Sequence, residues 1–437
     1  MGPSVSMDIP NSAPDVSTVS LDCGLDVVGV RLPHAHRTVI EMFTRVGSRF
    51  DPNGLSGISH FLEHMLYRGT PSQPTPHALA HAFERLGGSL EAATFVDHGM
   101  LSLELPTENA LLALPLFCEV FCSPVLHGID IERAIVREEI LESLDDDDKL
   151  IDADELGRKL CFPKHSLGQP ITGTLADLKC FDISALRAHH RARYTTKASV
   201  LCIAGPLLSE SMLPAIELAF NQQPSGSRPE VESPAAQNES RFQFISHVSS
   251  QTELRLVFRS PGQHDAAEPA IELLLRVLDD GMSTRLYQRI CNTLGLCYDV
   301  NAYYETWQDC GVVEVAADCA HERAEALLRE LLDLLMRLRD DGPTEDELTL
   351  ARNRHRWQIG QMFDDPTEVA SFYGFARLSG LAPTVQARLE EVDAVNLNAV
   401  KQVARRIFVP EGLNVVAVGQ LPKRTRTSLE RAVMAYR

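Results

Sequence analysis

Three residues within five positions have the types and spacing to hold and use a metal ion. They are His60, Glu63 and His64, in the segment GISHFLEHMLYRG from Gly57 to Gly69. The histidines are four apart and Glu63 is three from the first, so a helix places all three on one face. Two imidazoles one turn apart can ligate a single zinc ion, and the carboxylate beside them can reach a zinc-bound water. Phe61, Leu62, Met65 and Leu66 give the helix an apolar side to bury. About 0.04 such matches are expected by chance in a chain of this composition. The implied chemistry is metal-assisted hydrolysis.

The order His-x-x-Glu-His inverts the commoner zinc-protease helix motif. A third protein ligand is needed, because two imidazoles alone hold zinc weakly. Carboxylates crowd IERAIVREEILESLDDDD, Ile131 to Asp148. Glu132 and Glu139 are seven apart, two helical turns, and so project from one face. A helix lying across the first could offer Glu139 as ligand and Glu132 as a carboxylate that orients a histidine. By spacing alone Glu138 and Glu142 serve nearly as well.

These helices must be positioned by something larger. Asn221 to Ser240, NQQPSGSRPEVESPAAQNES, reads as a linker between halves of similar length, 1–220 and 241–437. Asp182–Leu207 and Asn396–Leu421 match at a constant offset that pairs Ile183 with Leu397, Leu186 with Val400, Tyr194 with Phe408 and Gly205 with Gly419. Each reads as an amphipathic helix, a turn and an apolar strand ending at Gly, which points to an internal duplication. Strands are expected at Leu25–Leu32, Thr38–Val46, Met100–Leu105, Ser199–Ala204, Phe242–Phe258, Tyr298–Tyr304 and Val312–Ala316. Helices are expected at Ala80–Leu86, Glu108–Phe121, Ile131–Leu144, Glu268–Leu278, Glu322–Arg337 and Glu345–Gln361. The expected class is α+β: two homologous domains, each an antiparallel sheet packed with helices, the second lacking the metal motif.

Composition excludes some partners. Lys+Arg is 41 against 60 Asp+Glu, a formal net charge of −19, which disfavours nucleic acid and anionic membranes. No apolar run approaches the roughly 18 residues of a spanning helix. MGPSVSMDIPNSAPDV reads as a disordered lead, without a secretory signal. The ten cysteines lack the density of a disulfide scaffold, and Cys118 and Cys122 read as buried thiols on an apolar helix, so a reducing cytoplasm is the expected location. Asp145–Asp148 reads as a solvated helix end, His189-His190 as a surface pair, and Gly281-Met-Ser-Thr-Arg-Leu as a helix start.

Together these residues resemble the pitrilysin–insulinase zinc peptidases, in the two-domain branch that includes mitochondrial processing peptidase. The resemblance rests on His60-Phe-Leu-Glu63-His64, on ERAIVREEI, on FPKHSLGQPITGT from Phe162 to Thr174, on the linker and on the repeated second half. It implies one zinc per chain, held by His60, His64 and Glu139, with Glu63 as general base and Glu132 supporting a ligand. It also implies a peptide substrate and a working chamber built from two chains.

Two departures bear on specificity. The family's Asn-Ala-x-Thr strand, which pairs with the substrate backbone, reads here Glu91-Ala-Ala-Thr94. A negative side chain there points to basic or amine-bearing peptides. The family also places an Arg and a Tyr seven apart in the second half to bind substrate and steady the oxyanion. Here Tyr298 fills the Tyr position, but Cys291 takes that of the Arg, and Arg289 lies two residues too early. The expectation is a zinc metalloendopeptidase acting on unfolded peptides, either as a homodimer or as the catalytic member of a heterodimer whose partner supplies the Arg/Tyr pair. Processing of one dedicated precursor peptide and a non-catalytic subunit of the same fold are the alternatives.

Overall fold

The computed structural model describes residues 14–206, 212–381 and 384–437. The expected disordered lead falls mostly outside them. The chain forms two compact units, Met1–Arg137 with Ile171–Glu230 and Trp357–Arg388, and Glu138–Pro170 with Val231–Arg356 and Leu389–Arg437. Each unit takes a segment from the other half of the sequence. Both exchanges cut through a helix, Ile129–Glu142 in one case and Glu345–Met362 in the other.

The first unit is built on β1 (Asp15–Ser20), β2 (Asp26–Arg31), β3 (Arg37–Thr44), β4 (Ser89–Thr94), β5 (Gly99–Pro106) and β6 (Ser199–Gly205), in the order β1-β2-β6-β3-β5-β4. The second is built on β7 (Arg241–Ser246), β8 (Thr252–Pro261), β9 (Val300–Thr306), β10 (Cys310–Cys319) and β11 (Leu413–Gly419), in the order β7-β11-β8-β10-β9. The second order repeats the first without a counterpart of β1. Neither sheet is purely antiparallel, because β6 pairs parallel with β2 and β11 parallel with β7. In each unit a late strand returns by a long crossover and inserts between two earlier ones, β6 between β2 and β3 and β11 between β7 and β8, parallel to the first of each pair and antiparallel to the second. The single strand expected over Phe242–Phe258 is two strands, β7 and β8, broken at 247–251.

The central strands explain themselves. SVLCIAG of β6 and LNVVAVG of β11 are buried at every position, as apolar, largely β-branched runs covered on both faces should be. Each ends at a glycine pressed on the neighbouring strand. A Cβ on Gly205 would lie 2.6 Å from Thr38 Oγ1, and one on Gly419 would lie 2.9 Å from Thr252 Oγ1. The preceding helices, Ile183–Arg193 and Leu397–Ile407, are capped alike, by the side chains of Asp182 and Asn396.

The exchanged segments cover sheet faces. The helix Pro366–Leu378 packs on β3 and β6, burying Val369, Ala370, Tyr373, Ala376 and Leu378. Gly374 allows the close approach, since a Cβ there would meet the Phe43 ring at 2.5 Å. The helix Ala153–Cys161 packs on β8 and β11, with Gly157 against Val257. Residues 221–240 carry no helix or strand, as a linker should not. No described helix is long and apolar enough to cross a membrane.

Candidate metal centre

The helix Ile58–Leu66 carries the His-x-x-Glu-His segment. Ile58, Phe61, Leu62, Met65 and Leu66 are buried, and Phe61 meets Phe181 edge-on at 5.3 Å between ring centroids. This apolar side fixes the rotation of the helix and so the direction of its polar face. His60 is 7% exposed and His64 half-buried, with ring centroids 4.7 Å apart.

One ligand atom each of His60, His64 and Glu139 lies within 4.8 Å of the others, and no other group of three or more His, Cys, Asp or Glu among the described residues does so. Glu139 comes from Ile129–Glu142, where Glu138 and Glu142 are exposed. Two imidazoles and a carboxylate suit zinc and leave one position for water or substrate. Glu132, 6% exposed, sets its Oε2 3.4 Å from His64 Nδ1, while its Oε1 accepts a hydrogen bond from Arg68 Nη1 at 3.2 Å. That contact directs Nε2 of His64 toward the ligand cluster.

Glu63 sits on the same helix with its Oε2 accepting a 2.5 Å hydrogen bond from Thr94 Oγ1. Thr94 ends β4, which bonds only to β5 and is therefore the sheet edge. The helix packs beside that strand, and Glu91 on it is exposed. An extended peptide could add to this edge within reach of the metal helix.

The second unit holds the remaining expected residue. Tyr298 is 93% exposed and lines a cavity of about 470 Å³ that also takes in Asp154, Arg255 and Glu314. Cys291 packs partly buried against the core of that unit beside Cys297. Arg289 does not take its place; the guanidinium is tied to Glu330 at 2.7 Å.

Spacing missed a second tier of residues. His189-His190 is not the surface pair expected: His189 is buried, and burial pushes its imidazole down to about 3, so that the ring is neutral. His189 Nε2 lies 2.9 Å from Ser59 Oγ, and Ser59 Oγ donates to Asp51 Oδ1 at 2.5 Å. Thr94 was read only as part of the Glu91-Ala-Ala-Thr94 strand, His189 lies far along the chain, and Asp51, six residues before Gly57, shows no ligand spacing that would flag it.

Residues 26–174 match the family model described as insulinase, peptidase family M16, and residues 181–354 match that of the peptidase M16 inactive domain. The chain belongs to the M16, or pitrilysin–insulinase, peptidase family. This M16 chain is 28% identical over 400 residues to an uncharacterized zinc protease of Mycobacterium tuberculosis strain H37Rv, covering 89% of this chain and 90% of that protein. It is 27% identical over 394 residues to an uncharacterized zinc protease of Bacillus subtilis strain 168, covering 89% and 94%. Among solved structures, a protease from Helicobacter pylori shares the fold at a TM-score of 0.85 and 20% identity, covering 93% of this chain and 99% of that one. A peptidase M16 inactive domain from Pseudomonas fluorescens does so at 0.85 and 21%, covering 93% and 98%.

Proposed function

We propose that this M16 chain is a zinc metalloendopeptidase that hydrolyses unfolded peptides. The observation that carries the reading is the convergence of His60, His64 and Glu139 around one point, with Glu63 on the same helix face. Zinc bound there would polarise the scissile carbonyl and acidify the attacking water. Glu63 takes the proton from that water and returns it to the leaving amine. Thr94 holds one carboxylate oxygen of Glu63, leaving the other for the proton. Glu132 keeps His64 oriented, and the edge strand β4 would supply backbone donors and acceptors for an extended substrate.

Cys291 supports a further element of the reading. With a thiol against the core in place of the family's Arg, and Arg289 tied to Glu330, the second half of this chain offers Tyr298 but no Arg at the family's position for the oxyanion. We therefore place the chain in a two-chain chamber, as a homodimer or with a related subunit that supplies the Arg/Tyr pair. The ligand assignment is tested by zinc content. The native chain should hold about one zinc, and Glu139→Gln should lose affinity by about tenfold or more, while Glu138→Gln and Glu142→Gln should not. Unchanged binding in Glu139→Gln would move the ligand role elsewhere.

A further inference from the structure

The start of the metal helix is held in an unusual way. Its N-cap, Gly57, has φ +88° and no side chain to satisfy the first backbone N–H groups. Asp51, six residues upstream, does this from outside the helix. Its Oδ2 accepts from Gly57 N at 2.7 Å and its Oδ1 from Ser59 N at 3.2 Å. The same Oδ1 accepts from Ser59 Oγ, which also meets His189 Nε2 on the helix Ile183–Arg193. The Asp51 side chain is fully buried, so each of these bonds is made away from competing water.

A second contact closes the same end. Gly57 faces Gly173 with no room for a side chain on either: a Cβ on Gly57 would lie 2.4 Å from Thr172 O, and one on Gly173 would lie 2.2 Å from Ser56 O. Gly173 belongs to FPKHSLGQPITGT, the second motif of the sequence, which contributes none of the clustered ligands. Its glycine at φ +82° serves as a backbone wall against the helix start.

We infer that Asp51, with Ser59, His189 and the Gly57–Gly173 contact, is a positioning clamp that fixes the first turn of the metal helix and so the register of His60 and His64. Ser59 is the residue before the first histidine. Any shift of its backbone moves His60 directly, and His64 one turn later. Three donors converge on its two oxygens, so an amide, with a single oxygen, could accept only part of the set. The inference rests on the reading of His60, His64 and Glu139 as the metal ligands.

The test is zinc affinity, read by competition with a chromophoric chelator. Asp51→Ala should weaken zinc binding by about tenfold or more, and Ser59→Ala by a smaller factor. Asn396→Ala removes the cap of Leu397–Ile407 in the second unit and serves as the control for stability. It should lower Tm yet leave zinc affinity within about twofold. Cobalt-loaded Asp51→Ala should also show a changed visible absorption band, which a loss of stability alone would not produce. Affinity in Asp51→Ala within about twofold of the native value would overturn the clamp. An equal loss in Asn396→Ala would do the same. Should Asp51→Ala not fold, Asp51→Asn preserves the volume and carries the same threshold. A native chain that binds zinc but cleaves nothing would overturn the peptidase reading alone.

Discussion

His64 has its two nitrogens turned to different tasks. Nδ1 faces the buried carboxylate of Glu132, and Nε2 is left for the ligand cluster. The Arg68 guanidinium on the other oxygen of Glu132 holds that carboxylate in place. Glu132→Gln should therefore lower zinc affinity by about 10- to 100-fold without touching a ligand. Chelator competition measures it, and an unchanged affinity would remove Glu132 from the site. At this scale the sequence was most informative where chemistry is local. His60, Glu63 and His64 sit on one helical face by spacing alone. Glu139 could not be separated from Glu138 and Glu142 by spacing, because the choice depends on which side of the helix is covered. Thr94, Asp51 and His189 reach the site only through the fold.

Among the elements, the helix Pro366–Leu378 and β3 share a buried acid. Glu41 lies within β3, fully buried, and accepts from Ser102 Oγ at 3.2 Å and from Ser371 Oγ at 3.1 Å. Burial pushes its carboxyl up to about 7. Between the ordinary carboxylate range and about 7, the unfolded chain has released this proton and the folded chain retains it. Stability contributed by the protonated acid is thus complete at low pH and lost as pH rises through about 7, by an amount on the order of 3 kcal/mol. Glu41→Gln keeps an acceptor and does not titrate. Its urea midpoint should exceed the native one at about pH 8 and approach it at about pH 5. A constant difference across that range would contradict the assignment. The strand was legible from its apolar run, but the helix that covers it comes from the other half of the chain. No local pattern announces such an exchange.

Over the whole molecule, the duplication read from Asp182–Leu207 and Asn396–Leu421 reappears as two sheets with the same strand order, closed by the same glycine contact at Gly205 and Gly419. The sequence boundary at 221–240 marks where the repeat changes copy. The compact units cross it, because the helices Ala153–Cys161 and Pro366–Leu378 each cover the other copy's sheet. Among the described residues only the first copy carries a ligand cluster that could hold a metal, while the second contributes exposed Tyr298 without the family's Arg. The account therefore assigns the chemistry to one copy and substrate contact to both, and cleavage itself is its central claim. The most direct measurement is hydrolysis of a mixture of unstructured peptides by the purified, zinc-loaded chain, beside Glu63→Gln at equal zinc content. The account predicts cleavage by the native chain and a loss of about 100-fold or more in the variant. Equal cleavage by both would contradict it, because the carboxylate placed beside the metal would then carry no proton.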